Sequence, residues 1–157
     1  MKKSNKKLLI IIGVLFILST GFIIYQNNSN NFKPAQICIE GKTCYSIKIA
    51  DSDEEKTTGL SGVEFLNESD GMLFVFDEET IPGFWTLDMK FSIDVVWINK
   101  EKVVIGIERS LIPCNGTKSF DCEIFYPKVP IKYVLEVNSN STIRHNITYG
   151  DLVVLQD

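Results

Sequence analysis

The stretch from residue 71 to residue 99 most constrains what this chain can fold into. It contains three apolar runs that are rich in aromatic and β-branched residues, at positions 72–76, 84–89 and 93–98. Such residues fit the pleated, half-buried surface of a β-sheet, so the runs predict three strands, joined by residues 77–83 and by a kink near Ser92. Both tryptophans and a lone carboxylate, Asp94, fall in the same stretch. The fold is therefore expected to be built on β-structure.

Shorter signals on either side predict the remaining elements. Residues 38–50 and 94–108 indicate two hairpins, and residues 131–137 and 151–155 indicate two further strands. Ser52, followed three residues later by Glu55, is a capping-box pattern that predicts a short helix, and a second short helix is expected at residues 139–145. We expect a mainly-β (α+β) domain, compact and barrel- or sandwich-like, with one or two short helices.

The N-terminal apolar run predicts a membrane anchor. Residues 8–25, from Leu8 to Tyr25, contain no charge, and as a helix they would span about 27 Å, close to the thickness of a bilayer core. Lysines precede the run and none follows it immediately, so the positive-inside rule places the N-terminus in the cytoplasm and the rest outside. The alternative is a signal peptide cleaved after Gly21, which would secrete the domain. We expect a single-pass anchor at residues 1–25, a flexible linker at 26–35 and an extracytoplasmic domain at 36–157.

The charge of the exported part argues against nucleic acid as a partner. Four lysines and no acid lie in the first 25 residues, which leaves 12 of the 16 basic residues and all 20 acidic ones for the rest. The remainder therefore carries a net charge of −8. A domain of that sign repels phosphate backbones, so the expected partners are the lipid bilayer and an extracytoplasmic molecule.

The four cysteines fit an oxidising compartment. In the predicted hairpin a three-residue turn at positions 40–42 sets Cys38 opposite Cys44, and opposed positions approach the distance that a disulfide needs. Cys114 and Cys122 remain for a second bridge. We expect both bridges to stabilise the fold, with a redox-active pair as the alternative. No pair has the spacing of a zinc ligand pair, so no metal site is predicted.

Six short motifs, spread from residue 59 to residue 153, occur in the order and spacing of a known family. They are Gly59-Leu60-Ser61-Gly62, Gly71-Met72-Leu73-Phe74-Val75-Phe76, Phe84-Trp85, Phe91-x-Ile93-Asp94-Val95, Tyr133-Val134-Leu135-Glu136-Val137 and Tyr149-Gly150-Asp151-x-Val153. Together they are specific, although each alone would be weak. By these motifs the chain from about residue 45 to its end resembles DUF192, a family of domains named for having no known function.

The resemblance implies a compact, mainly-β, commonly exported domain, and it implies no activity. The segments around Cys114 and Cys122 also resemble the family's cysteine-bearing loop. Two positions depart from the family pattern. Members usually carry Met-Lys after the Phe-Trp pair, where this chain has Thr86-Leu87, and usually carry arginine before the Gly-Leu pair, where this chain has Thr58. A ligand that those basic residues contact in relatives would differ or be absent here.

Two carboxylates inside apolar runs are the candidates for chemistry. Alternation places Asp94 on the face of its strand opposite Ile93 and Val95, and places Glu136 opposite Leu135. A buried carboxylate must accept hydrogen bonds or pair with a base, because an unpaired buried charge costs too much. Asp94 is therefore expected to lock a loop or to act as a perturbed acid or base. Glu136 is expected to approach Asp94 as a carboxylate pair, or to pair with an arginine, either Arg109 or Arg144.

Phe84 and Trp85 are the candidates for ligand contact. They follow Pro82-Gly83, which is typical of a loop entering a strand. Alternation predicts that one ring packs in the core and that the other is free to stack against a sugar or peptide.

The favoured hypothesis is a non-catalytic module that binds a small ligand, a glycan or an envelope protein. Its binding surface would comprise Phe84, Trp85, Asp94, Glu136 and the loop from Cys114 to Cys122. The alternatives are a hydrolase-like enzyme that uses Asp94 and Glu136 as acid and base, and a structural component of an envelope complex. The chain has one histidine, His145, and no HExxH, P-loop, GxGxxG or CxxC motif, so the sequence predicts no cofactor.

Overall fold

The computed structural model describes residues 35–156, which form one sheet with two short helices and one 3-10 turn at Ser119–Asp121. The strands are β1 (Ala35–Ile39), β2 (Thr43–Ala50), β3 (Asp70–Thr80), β4 (Ile93–Ile98), β5 (Val104–Leu111), β6 (Ile131–Asn138) and β7 (Val153–Gln156). The helices are α1 (Asp53–Thr58) and α2 (Ser141–Arg144). The mainly-β prediction with two short helices is confirmed.

The sheet runs in the order β5-β4-β6-β3-β2-β1-β7 and curls into a half-barrel. Every pair of neighbours is antiparallel except β2 and β3. The curl brings the start of β5 against the segment before β7. There the Val104 N–H donates to the carbonyl oxygen of Asp151 at 2.9 Å, and the Gly150 N–H donates to that of Val104 at 2.8 Å. The two edges of the sheet therefore meet at one end.

Both faces of the sheet are covered, and each has its own apolar core. All six residues of β4 are buried, because β4 lies inside the sheet between β5 and β6. Val96 and Ile98 point into a core to which all seven strands contribute, which lies inside the curl. Ile93, Val95 and Trp97 point into the second core, on the outer face. The predicted alternation along this strand is confirmed.

The β1–β2 hairpin has the predicted register. Cys38 pairs directly with Cys44 across the hairpin, and the two sulfurs form a disulfide. Gly41 occupies the turn at φ +69°, a left-handed backbone that glycine adopts without steric cost. The first predicted disulfide, Cys38–Cys44, is therefore confirmed.

Helix α1 begins at the predicted capping box. The Glu55 N–H donates to Ser52 Oγ at 3.3 Å, and the Ser52 N–H donates to Glu55 Oε2 at 3.2 Å. The helix ends at Gly59, whose N–H donates to the Glu55 carbonyl oxygen and whose φ is +50°. A cap at each end limits the helix to six residues.

The prediction of a strand at residues 84–89 is wrong. This segment has only isolated bridges, one between Phe84 and Phe125 and one between Leu87 and Cys114. Its backbone groups bond to the loop that follows β5, as when the Cys114 N–H donates to the Thr86 carbonyl oxygen at 2.9 Å. Asp88 has φ +55°, which interrupts any extended run. Aromatic content indicated burial correctly, but the segment lies over the sheet and not within it.

The predicted anchor at residues 8–25, and all of the predicted linker before Ala35, lie outside the described residues. Within residues 35–156 the structure contains no helix that is long and apolar enough to cross a bilayer. Ala35, which the prediction assigned to the linker, begins β1.

Candidate functional site

A cavity of about 280 Å³ opens on the outer face of the sheet. Helix α1 and residues 59–61 form one side of it, and residues 82–85 with Met89 form another. The sheet contributes Phe74 and Phe76 from β3 and Glu136 from β6. Asp53, Lys56 and Glu136 are the charged side chains that line the cavity, and Glu136 alone of the three is buried.

The Gly-Leu-Ser-Gly motif joins the two sides of this cavity. Ser61 Oγ donates to the carbonyl oxygen of Leu87 at 2.8 Å, and the Gly62 N–H donates to that of Asp88 at 2.9 Å. Gly59 lies so close to the sheet that a Cβ there would be 3.3 Å from Cζ of Phe74. The motif therefore ties the end of α1 both to the sheet and to the segment that carries Phe84 and Trp85.

The two candidate aromatic residues differ in burial, although both line the cavity. Phe84 is buried and packs edge-to-face on Phe74, with ring centroids 4.9 Å apart, and on Trp97 at 5.4 Å. Such pairs contribute about 0.5–1.5 kcal/mol beyond their burial. Trp85 is half-buried and lines the cavity. Phe84 thus fixes the segment, while the neighbouring Trp85 remains available for contact.

Glu136 is a buried carboxyl group on the outer face of the sheet. It sits on β6 between Met72 of β3 and Val95 of β4, and only 4% of it is exposed. Its Oε2 atom is buried and has no hydrogen-bond partner among the described residues. Burial raises the pKa of Glu136 to about 8, because the charged form loses its hydration without compensation. At neutral pH the group is mostly protonated, and it can then donate or accept a hydrogen bond.

Asp94 is also a buried carboxyl group, but both of its oxygens accept hydrogen bonds. Its Oδ1 accepts hydrogen bonds from the N–H groups of Ser110 at 2.9 Å and Asn140 at 3.2 Å. Its Oδ2 accepts from the Thr142 N–H at 3.1 Å and from the Thr142 hydroxyl at 2.7 Å. Four donors saturate this fully buried carboxylate, which joins β4 to β5 and to α2.

The two carboxyl groups do not come together. In the β4–β6 register Asp94 pairs with Val137, while Glu136 pairs with Val95, so Asp94 and Glu136 point to opposite faces of the sheet. The predicted approach of the two carboxylates is therefore wrong. Whether the two carboxyl groups share a face of the sheet depends on the register between two strands far apart in sequence. Alternation within each strand does not give that register.

The predicted pairing of Glu136 with an arginine is also wrong. Arg109 Nε donates to the Thr142 hydroxyl at 3.1 Å, and Arg144 pairs with Glu68 at 3.1 Å. Both arginines thus bond elsewhere. Within residues 35–156 no three His, Cys, Asp or Glu side chains cluster as metal ligands would.

The loop from Cys114 to Cys122 contacts the segment of residues 84–89, which carries Phe84 and Trp85. The second predicted disulfide, Cys114–Cys122, is present. The Cys114 N–H donates to the Thr86 carbonyl oxygen, and three residues past the loop Phe125 exchanges backbone bonds with Phe84 at 2.9 and 2.8 Å, so the loop is held beside Trp85. The loop is absent from the lining of the cavity, so it supports the site without contributing side chains to it.

The sequence predicted a ligand contact for neither Lys56 nor Phe76. Lys56 lies with its Nζ 5.3 Å from the centroid of the Phe76 ring, a cation–π geometry, and both line the cavity. Thr58, one of the two departures from the family pattern, lines it as well. The other, Thr86, is buried and donates to the Ile112 carbonyl oxygen at 2.8 Å, on the side of the disulfide loop. The sequence signal that could have indicated the side of the cavity formed by α1 and residues 59–61 was the Gly-Leu-Ser-Gly motif.

Fold and site together define a small, mainly-β domain of the half-barrel type with an aromatic cavity on its outer face. The chain belongs to DUF192, described as "Uncharacterized ACR", whose family model matches residues 35–155. No curated protein matches the chain.

Two solved structures share the fold. A protein of unknown function from Novosphingobium aromaticivorans DSM 12444 superposes with a TM-score of 0.68 at 22% identity, over 77% of this chain and 83% of that one. A protein from Sinorhizobium meliloti 1021, described as a candidate transcription regulator, superposes with a TM-score of 0.67 at 20% identity, over 77% of this chain and 91% of that one. At these identities the likeness extends to the fold alone.

Proposed function

We propose that this protein is a membrane-tethered, extracytoplasmic binding module whose outer-face cavity takes a small organic ligand. The observation that carries the proposal is the carboxyl group of Glu136 in a cavity lined by aromatic rings, where its buried Oε2 atom has no partner among residues 35–156. An apolar cavity with one or a few convergent polar groups is typical of small-molecule sites. A buried polar group without a partner also costs stability, and a ligand that bonded to it would remove that cost.

Binding is favoured over the acid–base alternative because the second carboxyl group is elsewhere. Asp94 lies on the other face of the sheet and accepts four hydrogen bonds, so it has no free role as base or acid. A cavity of about 280 Å³ also suits a small molecule better than a glycan chain or a protein surface.

The exported location is supported by the chemistry of the chain. All four cysteines are joined in disulfides, which persist in oxidising compartments. The uncharged run from Leu8 to Tyr25 has the length of a membrane span and follows four lysines. We propose that this run holds the domain on the outer side of the bilayer, joined to it by the segment that ends at residue 34.

Ligand binding can be tested by fluorine NMR, because the chain has only two tryptophans. The full chain is labelled with 5-fluorotryptophan, placed in phosphatidylcholine nanodiscs and titrated with a set of small aromatic compounds. We expect the Trp85 signal to shift and the Trp97 signal to move less. If no compound shifts the Trp85 signal at millimolar concentration, the proposal fails.

A pair of variants on one helix provides the control. Thr58→Phe places a ring in the lining of the cavity and should abolish the shift. Glu54→Phe adds the same ring to α1 at an exposed position outside the lining, and it should leave the shift intact.

The location is tested with a membrane-impermeant maleimide on spheroplasts of the expressing bacterium. We expect no labelling before reduction and labelling after it, with the protein in the membrane fraction. A variant that lacks residues 8–25 should leave that fraction. Free thiols in a soluble cytoplasmic protein would contradict the proposal.

A further inference from the structure

We infer that the ligand of this cavity carries an organic ammonium group, which forms an ion pair with Glu136 and lies among the aromatic rings. This inference rests on the proposed function and narrows it to one ligand class. It names the counter-charge for a carboxyl group that the described residues leave without one.

The first argument is the surroundings of Glu136 within the sheet. Its neighbours across β3 and β4 are Met72 and Val95, which offer no donor and no charge. The charged groups on the remaining wall are Asp53 and Lys56 of α1, and both reach solvent. An ammonium group supplies up to three N–H donors and a positive charge, so it can satisfy the buried Oε2 and neutralise the carboxylate together. A neutral hydroxyl would supply one hydrogen bond and no charge.

The second argument is the nature of the lining. Phe74, Phe76, Phe84 and Trp85 all contribute to the cavity. The faces of such rings carry partial negative charge and attract cations, and aromatic cages with a carboxylate are suited to ammonium ions. One ring already holds a cation, since Lys56 lies over Phe76 at 5.3 Å. An anionic ligand would meet these ring faces unfavourably.

Proton balance gives the inference a distinctive signature. Glu136 is mostly protonated at pH 7, since burial raises its pKa to about 8. An ammonium ligand binds the ionised carboxylate, so the carboxyl proton must leave to solvent while the ligand keeps its own. We expect close to one proton released per ligand bound at pH 7, about half a proton at pH 8 and still less above it. A neutral ligand releases none.

The test compares benzylamine, which is a cation at pH 7, with benzyl alcohol, its neutral analogue of the same size. Each is titrated into the full chain in phosphatidylcholine nanodiscs, with empty nanodiscs as the blank. Binding is read from the fluorine signal of Trp85. Proton release is read with a pH indicator in weakly buffered solution, so that no buffer amine competes.

We expect benzylammonium to bind at least about tenfold more tightly than benzyl alcohol, with the proton release given above. Glu136→Gln should remove both the preference and the proton release. Glu78→Gln, at an exposed position on β3 outside the cavity, should change neither. The proton count is measured on the unaltered chain, so the test stands even if Glu136→Gln folds poorly.

Two results would overturn the inference, and they have different consequences for the proposed binding function. If both compounds bind equally and no proton is released, the ammonium class is wrong and the cavity is a site for neutral ligands. If neither compound affects Trp85 at millimolar concentration, the ammonium class is wrong, and the proposed binding function then depends on the wider set of aromatic compounds.

Discussion

Thr142 binds the buried carboxylate of Asp94 twice, through its backbone N–H at 3.1 Å and through its hydroxyl at 2.7 Å. The same hydroxyl oxygen accepts a hydrogen bond from Arg109 Nε at 3.1 Å. The Asp94 carboxylate thus connects the middle of the sheet to the start of α2. Its role in the described structure is to hold these elements together.

Asp94→Asn should destabilise the domain without affecting the cavity. The substitution puts an NH2 group where the carboxylate accepts bonds from N–H groups, so at least two donors lose their acceptor. We expect the free energy of unfolding to fall by about 2–4 kcal/mol, read from thermal or urea unfolding. Asp77→Asn, at an exposed position, is the control and should be neutral. Unchanged stability would contradict a structural role for Asp94.

Glu136→Gln should change how stability depends on pH. The folded protein holds the Glu136 proton up to about pH 8, whereas the unfolded chain loses it near the ordinary value of 4.5. Between these values the folded state binds more protons, so the stability associated with Glu136 is full below pH 4.5 and is lost as pH rises toward 8. By pH 7 the loss is about 3 kcal/mol.

The measurement is the difference in unfolding free energy between the variant and the parent from pH 5 to pH 8. We expect Glu136→Gln to gain stability relative to the parent across this range. Glu78→Gln should give a nearly constant difference. Parallel curves for Glu136→Gln and the parent would show that this carboxyl group is ordinary in the folded protein.

Removal of the Cys114–Cys122 bridge should loosen the cavity as well as the fold. The bridge closes a loop whose Cys114 N–H donates to the Thr86 carbonyl oxygen, next to Trp85. For a nine-residue loop, chain-entropy arithmetic gives a loss of about 2.5 kcal/mol. We expect the double variant Cys114→Ala, Cys122→Ala to lose about that stability and to broaden the fluorine signal of Trp85.

The other bridge is the matched control. Cys38→Ala with Cys44→Ala removes a disulfide in the β1–β2 hairpin, and neither cysteine lines the cavity. It should cost stability while leaving the Trp85 signal sharp. A chain whose unfolding is indifferent to reductant would contradict both assignments.

Gly59→Ala should cost more stability than backbone strain alone explains, because Gly59 packs against Phe74 at the wall of the cavity. Gly59 has φ +50°, and an added Cβ would lie 3.3 Å from the ring of Phe74. Gly150 also has a positive φ, +92°, but an added Cβ there would meet nothing within 4 Å. We expect each substitution to cost about 1 kcal/mol through backbone strain, and Gly59→Ala to cost more because the ring must move. Equal losses in urea unfolding would show that the contact with Phe74 is unimportant.

Local signals in the sequence determined the elements that depend on neighbours along the chain. The turn at Gly41 set Cys38 opposite Cys44, and the pattern from Ser52 to Glu55 set the start of α1. The side-chain period of two assigned Ile93 and Val95 to one face. Each of these results involves residues within about one turn or one hairpin, where the local backbone leaves few alternatives.

Tertiary structure alone decided where the segments meet. Asp94 and Glu136 fall on opposite faces because β4 and β6 pair with Val95 beside Glu136, and a shift of one residue would have reversed that. Residues 84–89 form no strand because their backbone bonds to the disulfide loop. The cavity draws on segments far apart in the chain. Alternation fixes which face of its strand a residue occupies. The register between distant strands, and the choice of segment that covers the sheet, are set by packing over the whole domain.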